Sequence, residues 1–311
     1  MQFKKKLDVY SIQIIAQYLK FKSDFLNIIQ VRKQFQYVLD RFRINPIPIT
    51  NDTKNLFQCL DTQQFFWIQS LTKDTNWELS DYEIELPNTK ILQYSFDLPY
   101  SKYLEIKNNT SKLIKCPALT YTKEDRKIYG NTIPEGIKVL GNLCFYKSEI
   151  KQIMIPESVT RIKDRCFEDC GELELIYIPD NVISIGKECF AYCCELSSVH
   201  LSTNITKLKQ RIFFQNHSLK NINIPPYLKE MNKQCFRGCL VSNIELPKST
   251  TKIDCHCFEC CILLKSIDLR GIKFIGLGRN EKCIVWSSFI ENVNRFAKKY
   301  SCYNPRKFMG L

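Results

Sequence analysis

The sequence predicts an α+β fold: a solenoid of 22–23-residue units with short parallel strands, preceded by a helical N-terminal segment and closed by a C-terminal helix. Three observations support this prediction. An Ile-Pro step or a close variant returns every 22 or 23 residues, a Phe stands at one fixed place in every full unit, and an apolar-x-apolar step precedes each unit after the first. Because one such unit is too small to bury its own apolar face, successive units must stack on each other.

Positions within a unit are counted from the residue that opens the Ile-Pro step. The units begin at Ile133, Ile155, Ile178, Leu201, Ile224, Leu246 and Leu269. Positions 5 and 8 are apolar throughout the full units, apart from Thr250 at position 5. Position 13 is Phe in all six full units, namely Phe145, Phe167, Phe190, Phe213, Phe236 and Phe258. This unbroken column predicts an aromatic stack that runs from unit to unit through the core.

Each unit closes with an alternation of apolar and variable residues, as in Ile176-Tyr177-Ile178. Alternation with a period of two is typical of a short strand that turns one face inward. Equivalent strands of successive units should therefore lie parallel to each other. A proline directly after the strand suits its end, because an interior proline would remove a hydrogen bond from the ladder.

The chain has sixteen cysteines, and most of those in the repeats fall in two columns. Position 12 is Cys144, Cys166, Cys189, Cys235 and Cys257, with Ile212 in the remaining unit; position 16 is Cys170, Cys193, Cys239 and Cys261, with Ser148 and Asn216 in the others. Isoleucine at position 12 indicates a buried apolar slot, which a free thiol fills well. Serine and asparagine at position 16 indicate a side chain that hydrogen-bonds to nearby backbone.

Two other roles for these cysteines stay open at this stage. Disulfides would need an oxidising compartment. A zinc site would draw on Cys255, His256, Cys257, Cys260 and Cys261, although a structural site normally has two separated pairs of ligands. A reduced thiol ladder is the favoured interpretation, and no cofactor or metal is expected.

The repeat motif I-P-x-x-V-x-x-I-x-x-x-C-F-x-x-C-x-x-L-x-x-V is best seen in residues 178–200. It resembles the leucine-rich repeats of the BspA-like family, which is named for bacterial surface proteins and is expanded in parasitic protists such as amoebae. The resemblance covers residues 133 to about 276, and the approach Tyr129–Pro134 is similar to amoebal members. It implies a curved solenoid with roles in protein binding or adhesion, and it identifies no ligand.

The net charge of +13 is concentrated at the two ends of the chain. Residues 1–45 carry a net charge of +6 and residues 270–311 carry +7, so the intervening residues balance. We therefore expect no nucleic acid along the repeats, while the basic ends could touch an acidic surface. No clean signal sequence and no apolar run of about 18 residues is present, which favours a cytoplasmic protein with no transmembrane segment and leaves peripheral plasma-membrane or surface association open.

The chain divides by pattern into four parts. Residues 1–45 form a helical segment, residues 46–132 a mixed region of uncertain structure, residues 133–276 the solenoid, and residues 277–311 a C-terminal cap that holds an amphipathic helix over residues 287–300. Ser23 or Asp24 is placed to cap a second N-terminal helix. In the mixed region, Ile84-Glu85-Leu86-Pro87 repeats Ile244-Glu245-Leu246-Pro247 letter for letter, which indicates either irregular early repeats or a separate compact region.

The helical segment is also similar to a degenerate F-box. The matching elements are Ile14-Ile15, Tyr18-Leu19, Asp24-Phe25-Leu26 and Val31–Phe35, while Leu7-Asp8 replaces the usual opening Leu-Pro. A working F-box would make the protein an adaptor of a ubiquitin ligase. A plain helical cap on the solenoid is the alternative.

The sequence contains no constellation that would support catalysis. Its three histidines, His200, His217 and His256, all lie within repeats, far from any nucleophile motif. No phosphate-binding loop, dinucleotide fingerprint, serine-hydrolase elbow or zinc-protease helix occurs. We therefore expect a noncatalytic protein-interaction scaffold, with an F-box-like adaptor and a cell-surface adhesin as the alternatives.

The partner-binding surface should be the strand face that points away from the core, because its residues are not fixed by packing. Its main column is the residue before each new unit: Met154, Tyr177, His200, Asn223, Glu245 and Asp268. A second column lies two residues earlier: Gln152, Leu175, Ser198, Asn221, Asn243 and Ser266. The main column runs from apolar to acidic along the stack, which suggests a protein partner with matching apolar and basic sections.

Overall fold

The computed structural model of this chain describes residues 8–66, 86–265 and 267–276. These residues belong to two compact units, Met1–Ala118 and Leu119–Leu311. The C-terminal helix predicted for residues 287–300 lies outside the described residues. In the part of the chain that is described, no helix combines the length and the apolar character needed to cross a bilayer.

The first unit opens with two short helices, α1 (Val9–Ala16) and α2 (Lys22–Val31). Two 3₁₀ turns follow at Lys33–Phe35 and Leu39–Arg41. Asp8 caps α1, where its carboxylate accepts a hydrogen bond from the Ser11 amide at 2.7 Å. The prediction that Ser23 or Asp24 caps α2 is wrong, because α2 begins earlier and its N-cap is Phe21, which makes no side-chain capping bond.

Aromatic packing holds the helices of the first unit to the chain that follows them. The rings of Phe25, Phe42 and Phe57 meet edge to face with centroids 5.4–6.5 Å apart. This geometry places the positive edge of one ring against the negative face of another. Ile12, Ala16, Val38 and further apolar residues complete the same buried cluster.

The first unit also contains β1 (Thr62–Phe65), β2 (Ile91–Tyr94), β3 (Leu98–Pro99), α3 (Tyr100–Asn109) and β4 (Leu113–Lys115). Strands β1, β2 and β4 pair in parallel, with Phe65 opposite Tyr94 and Ile91 opposite Leu113. The Leu86-Pro87 step precedes β2 as the equivalent step precedes the strands of later repeats. These parallel strands resemble those of the later repeats, although they belong to a compact unit of their own.

The second unit begins with β5 (Leu119–Tyr121) and α4 (Lys123–Tyr129), whose N-terminus carries a capping box between Thr122 and Asp125. Its remaining strands are β6 (Val139–Leu140), β7 (Arg161–Ile162), β8 (Leu175–Tyr177), β9 (Ser184–Ile185), β10 (Ser198–His200), β11 (Lys207–Leu208), β12 (Asn221–Ile222), β13 (Glu230–Met231), β14 (Lys252–Ile253) and β15 (Phe274–Ile275).

These strands form two parallel columns. The first strand column consists of β8, β10 and β12, continued by a bridge between Ile244 and Ile267, and it is the column that the sequence predicts. The second strand column pairs β5, β6, β7 and β9 in that order and then β11, β13, β14 and β15. It reaches upstream of the first Ile-Pro unit, since Tyr121 lies opposite Leu140. The predicted solenoid of parallel strands is confirmed.

A third ladder of backbone hydrogen bonds crosses the loop around position 13. In the five full units that begin between Ile133 and Ile224, the amides of positions 11, 13 and 15 donate to carbonyls of the next unit, as Phe167 does to Cys189 and Phe190 does to Ile212, both at 2.9 Å. Positions 11 and 15 adopt the left-handed conformation with φ between 54° and 62° in every full unit, except that Gly238 at position 15 has φ 79°. The left-handed conformation costs a residue other than glycine about 1 kcal/mol or more. The hydrogen bonds of this ladder must offset that cost.

The predicted aromatic stack is confirmed. Rings of successive position-13 phenylalanines lie 5.0–5.7 Å apart between centroids, with interplanar angles of 4–21°. Five of the six are completely buried, and Phe258 in the last full unit is 8% exposed. The aromatic core therefore passes without interruption through all full units.

The cysteine columns lie in the core, as the sequence predicts. Position 16 thiols donate to the carbonyl of the position 13 phenylalanine in the preceding unit: Cys170 to Phe145, Cys193 to Phe167, Cys239 to Phe213 and Cys261 to Phe236, at 2.9–3.1 Å. Asn216 also reaches the preceding unit, where its Oδ1 accepts from the Cys193 amide at 2.9 Å. Thr250, the exception at position 5, is buried and donates to the Leu228 carbonyl at 2.9 Å.

We predict that Phe190→Ala lowers the free energy of unfolding by about 3–5 kcal/mol, since it opens a cavity between two stacked rings. Tyr192→Ala changes a 45% exposed ring in the same unit and should cost about 1 kcal/mol or less. Urea denaturation of the two variants measures the difference. Equal midpoints for Phe190→Ala and the parent chain would contradict a stabilising role for the stack.

We also predict that the protein loses stability in alkali. Burial raises the pKa of Cys166, Cys189, Cys193, Cys239 and Cys257 above the usual 9.0. Below pH 9 these thiols are protonated in both the folded and the unfolded state, so they contribute fully to the free energy of unfolding. Above pH 9 they ionise only in the unfolded chain, which favours unfolding by about 1.4 kcal/mol per pH unit for each thiol.

Cys189→Ile is the matched control for this effect, because isoleucine already fills the same position at Ile212. The variant should lose stability less steeply with pH, by the contribution of one thiol, in denaturation curves recorded from pH 8 upward. An unchanged slope would mean that the buried thiol does not drive the alkaline loss.

Candidate partner-binding surface

The first strand column presents alternate residues to solvent. Ile176 and Val199 point inward and are 2% exposed, while the residues on either side of them are exposed. Register places Leu175 opposite Ser198 and Tyr177 opposite His200 on the outer face. This alternation brings the two columns predicted from the sequence together on one side of the strands.

An aromatic and apolar section occupies one end of this surface. The rings of Tyr177 and His200 stack with centroids 4.7 Å apart and planes 8° from parallel. Tyr177 stays 51% exposed, Leu175 beside it 50%, and Met154 in the preceding unit 87%. Exposed side chains of this size on a backbone fixed by the ladder can serve as anchors for a partner.

Amide side chains follow in the next unit, and one of them is engaged in the fold. Asn221 is exposed opposite Ser198. Asn223 is half-buried, and its side chain both accepts from the Leu201 amide at 2.6 Å and donates to the Leu201 carbonyl at 3.0 Å. These two bonds replace a backbone pairing between the units, so Asn223 primarily extends the ladder.

The far end of the main column carries charge. Glu245 is exposed, and Asp268 forms a 2.6 Å ion pair with Arg270. Hydrogen bonds from Arg270 hold the pKa of the Asp268 carboxyl below its usual value. Asp268 is therefore ionised but paired, which reduces the net negative charge that this end offers to a partner. Gln152 and Asn243 in the second column are exposed, and Ser266 lies outside the described residues.

The sequence reasoning missed a row of ion pairs along the position 11 residues. Arg165 lies 2.7 Å from Glu188, which is also 3.5 Å from Arg211. The hydrogen bond that Arg165 Nε donates to the Glu188 carboxylate raises the pKa of the Arg165 guanidinium. Position 11 alternates in sign over these three units, and that alternation is the signal in the sequence that could have revealed the row.

The cysteine and histidine cluster considered for zinc is divided between core and surface. Cys257 and Cys261 are buried in their columns, whereas Cys260 is exposed. His256 lies 3.2 Å from the Glu259 carboxylate. Within residues 8–66, 86–265 and 267–276, no group of three His, Cys, Asp or Glu side chains is arranged to hold a metal ion.

Comparisons with solved structures return bacterial repeat proteins. A leucine-rich repeat protein from Bacteroides ovatus is 19% identical, with a TM-score of 0.45 over 73% of this chain and 48% of its own. One from Eubacterium ventriosum is 17% identical, with a TM-score of 0.45 over 71% of this chain and 59% of its own. A leucine rich cell surface protein from Faecalibacterium prausnitzii is 24% identical, with a TM-score of 0.36 over 44% of this chain and 46% of its own.

This chain thus spans about half the length of the Bacteroides ovatus protein. A comparison with curated proteins returned no match. The family model described as a BspA type leucine rich repeat region matches residues 117–240 and 184–304, in six copies. Together the two matches cover more than half of the sequence, and the chain belongs to the family of BspA-type leucine-rich-repeat proteins.

Proposed function

We propose that this protein is a noncatalytic scaffold that binds a protein partner through the outer face of its first strand column. The observation that carries the proposal is the exposed section formed by Met154, Leu175 and the stacked Tyr177 and His200. Leucine-rich-repeat proteins typically act by binding proteins, and a fixed ladder presents side chains with little loss of conformational freedom on binding.

The environments of the histidines support a role without catalysis. His200 stacks on Tyr177, His217 Nδ1 lies 3.2 Å from the Gly238 carbonyl, and His256 lies beside Glu259. Each histidine makes a structural contact of this kind, and none of these contacts assigns it a catalytic role. The family and fold are typically noncatalytic as well.

The partner should contribute an apolar pocket that receives the Tyr177 ring, with polar groups facing Ser198 and Asn221. Tyrosine anchors in a desolvated pocket contribute most of the binding energy at many interfaces, while surrounding contacts mainly exclude water. A strongly basic patch on the partner is less important than the sequence suggested, because Arg270 already pairs with Asp268.

We predict that Met154→Ala combined with Tyr177→Ala weakens partner binding about tenfold to a hundredfold, as the loss of an aromatic anchor does. Proximity labelling with the parent chain identifies the partner and its compartment, and the purified pair then gives the affinity of each variant. Tyr227→Ala combined with Ile262→Ala removes equally exposed apolar side chains outside the strand face and serves as the control. Equal affinities for the two double variants would refute binding at this face.

A second candidate function is that of an F-box-like adaptor, and one observation favours it. Tyr10, Ile14 and Tyr18 follow each other at four-residue spacing and are 66%, 44% and 79% exposed. Phe21, the N-cap of α2, is also 67% exposed, while Ile12 and Ala16 pack into the core. An exposed apolar stripe opposite a buried one suits a helix that binds a partner on its outer side.

If this stripe binds the Skp-type linker protein of a ubiquitin ligase, the two proteins should co-purify from a co-expression system. Ile14→Asp with Tyr18→Asp should abolish that co-purification, because both carboxylates would be buried in the contact. Tyr37→Asp, which alters a 71% exposed residue outside the elements that match the F-box, should leave it intact. Failure of the parent chain to co-purify with the linker would eliminate this second function.

A reducing compartment fits the thiol contacts of the core. Cys170, Cys193, Cys239 and Cys261 act as hydrogen-bond donors to carbonyls, which requires the protonated thiol. We therefore propose a cytoplasmic location, with the cell surface as the alternative because one similar structure is a cell surface protein. The proximity-labelling experiment distinguishes the two.

A further inference from the structure

Charge within the repeats is separated between faces although it nearly balances along the chain. Residues 133–276 contain nineteen basic and sixteen acidic residues. Nine basic and only three acidic residues occupy positions 6, 7, 9 and 10, next to the second strand column. Lys273 is the tenth basic residue there, because it directly precedes Phe274, which pairs with Lys252. This leaves nine basic and thirteen acidic residues elsewhere. We call this surface the basic face; its basic members are Lys138, Arg161, Lys163, Lys187, Lys207, Lys209, Lys229, Lys233, Lys252 and Lys273.

The strand register aligns these residues from unit to unit. On β11, β13 and β14, Lys207 lies opposite Glu230, which lies opposite Lys252. Neighbouring strands are about 4.8 Å apart, so side chains at one position form a row along the column. Backbone bonds continue the ladder through position 6, where the Lys229 amide donates to the Thr206 carbonyl at 2.8 Å.

Each of the three acidic residues of this face has a partner close to it. Glu230 pairs with Lys207 at 3.0 Å, and Asp164 lies 4.0 Å from Lys187. Asp254 accepts a hydrogen bond from the Cys255 amide at 2.7 Å. Glu230 and Asp164 each offset one lysine, and Lys138, Lys229, Lys233 and Lys273 remain exposed. The face thus keeps a strong positive excess that a flat negative surface could complement.

Apolar side chains stand exposed among these lysines. Ile183 at position 6 is 60% exposed, and Phe274 on β15 is 50% exposed with the Lys252 ammonium 5.6 Å from its ring centroid. An aliphatic side chain gains nothing from a phosphate backbone in water, whereas it can enter the headgroup region of a bilayer. Lysine ammonium groups act as point charges and suit lipid phosphates and carboxylates, each contributing about 1 kcal/mol near an anionic surface.

We propose that the basic face docks on an anionic lipid bilayer, with Ile183 and Phe274 entering the headgroup region. This site lies on the second strand column and is independent of the protein-binding face on the first. Nucleic acid is the less suitable ligand, because proteins that bind single strands place several aromatic side chains among their basic ones, and this face offers Phe274 alone among the described residues.

The test is flotation of the full chain with phosphatidylcholine vesicles, with and without phosphatidylserine. The protein should bind only the vesicles that contain phosphatidylserine. Lys229→Gln, Lys233→Gln and Lys273→Gln together should weaken binding about a hundredfold, from about fivefold per lysine. Lys151→Gln, Lys220→Gln and Lys248→Gln remove the same charge from exposed positions outside the basic face and should have little effect.

Ile183→Ser tests the apolar contribution to membrane binding separately from the electrostatic one. It should weaken binding to phosphatidylserine vesicles severalfold without changing the net charge of the protein. The proposal is overturned if the parent chain does not bind these vesicles, if the two triple variants lose equal affinity, or if Ile183→Ser binds like the parent. Tighter binding to an RNA homopolymer, a DNA duplex or polyglutamate than to the vesicles at the same salt concentration would overturn it as well.

Discussion

The structure of the repeats depends on the contact that each position-13 phenylalanine makes with its neighbours. Its ring stacks on the rings of adjacent units, its amide donates to the following unit, and its carbonyl accepts the position 16 thiol of that unit in most of the stack. All of these contacts join one unit to another. An isolated unit therefore lacks the ring packing and the hydrogen bonds that offset the left-handed residues at positions 11 and 15.

This arrangement assigns the recurring residues to the core and leaves the variable ones on the surface. Position 8 is buried in every full unit and the inner residues of the first strands are buried or partly buried, while their outward neighbours vary. The two strand columns consequently present different chemistries, aromatic and amide groups on one and lysines on the other. A single core can in this way support two surfaces that vary independently of its packing.

Much of the fold could be predicted because its determinants recur. The Phe column and the alternation before each unit identified the stack and the first strands, and isoleucine at Ile212 revealed the slot for the position 12 thiols. The second strands were missed because two residues, one of them inward, are too short to show a period. The roles of Asn223 and Asp268 could not be predicted either, because Leu201 and Arg270 contact them through local geometry that composition does not encode.

The full units differ in length by one residue, and the extra residue lies between position 16 and the next first strand. From position 8 to position 16 every full unit has the same number of residues, with the two left-handed positions always four apart. From position 16 to the buried residue of the next first strand the spacing is five residues in some units and six in others. New residues can therefore enter the turn beside the proposed partner-binding face without shifting the aromatic stack. Evolution can remodel the edge of that face by insertion while the register of the core stays constant.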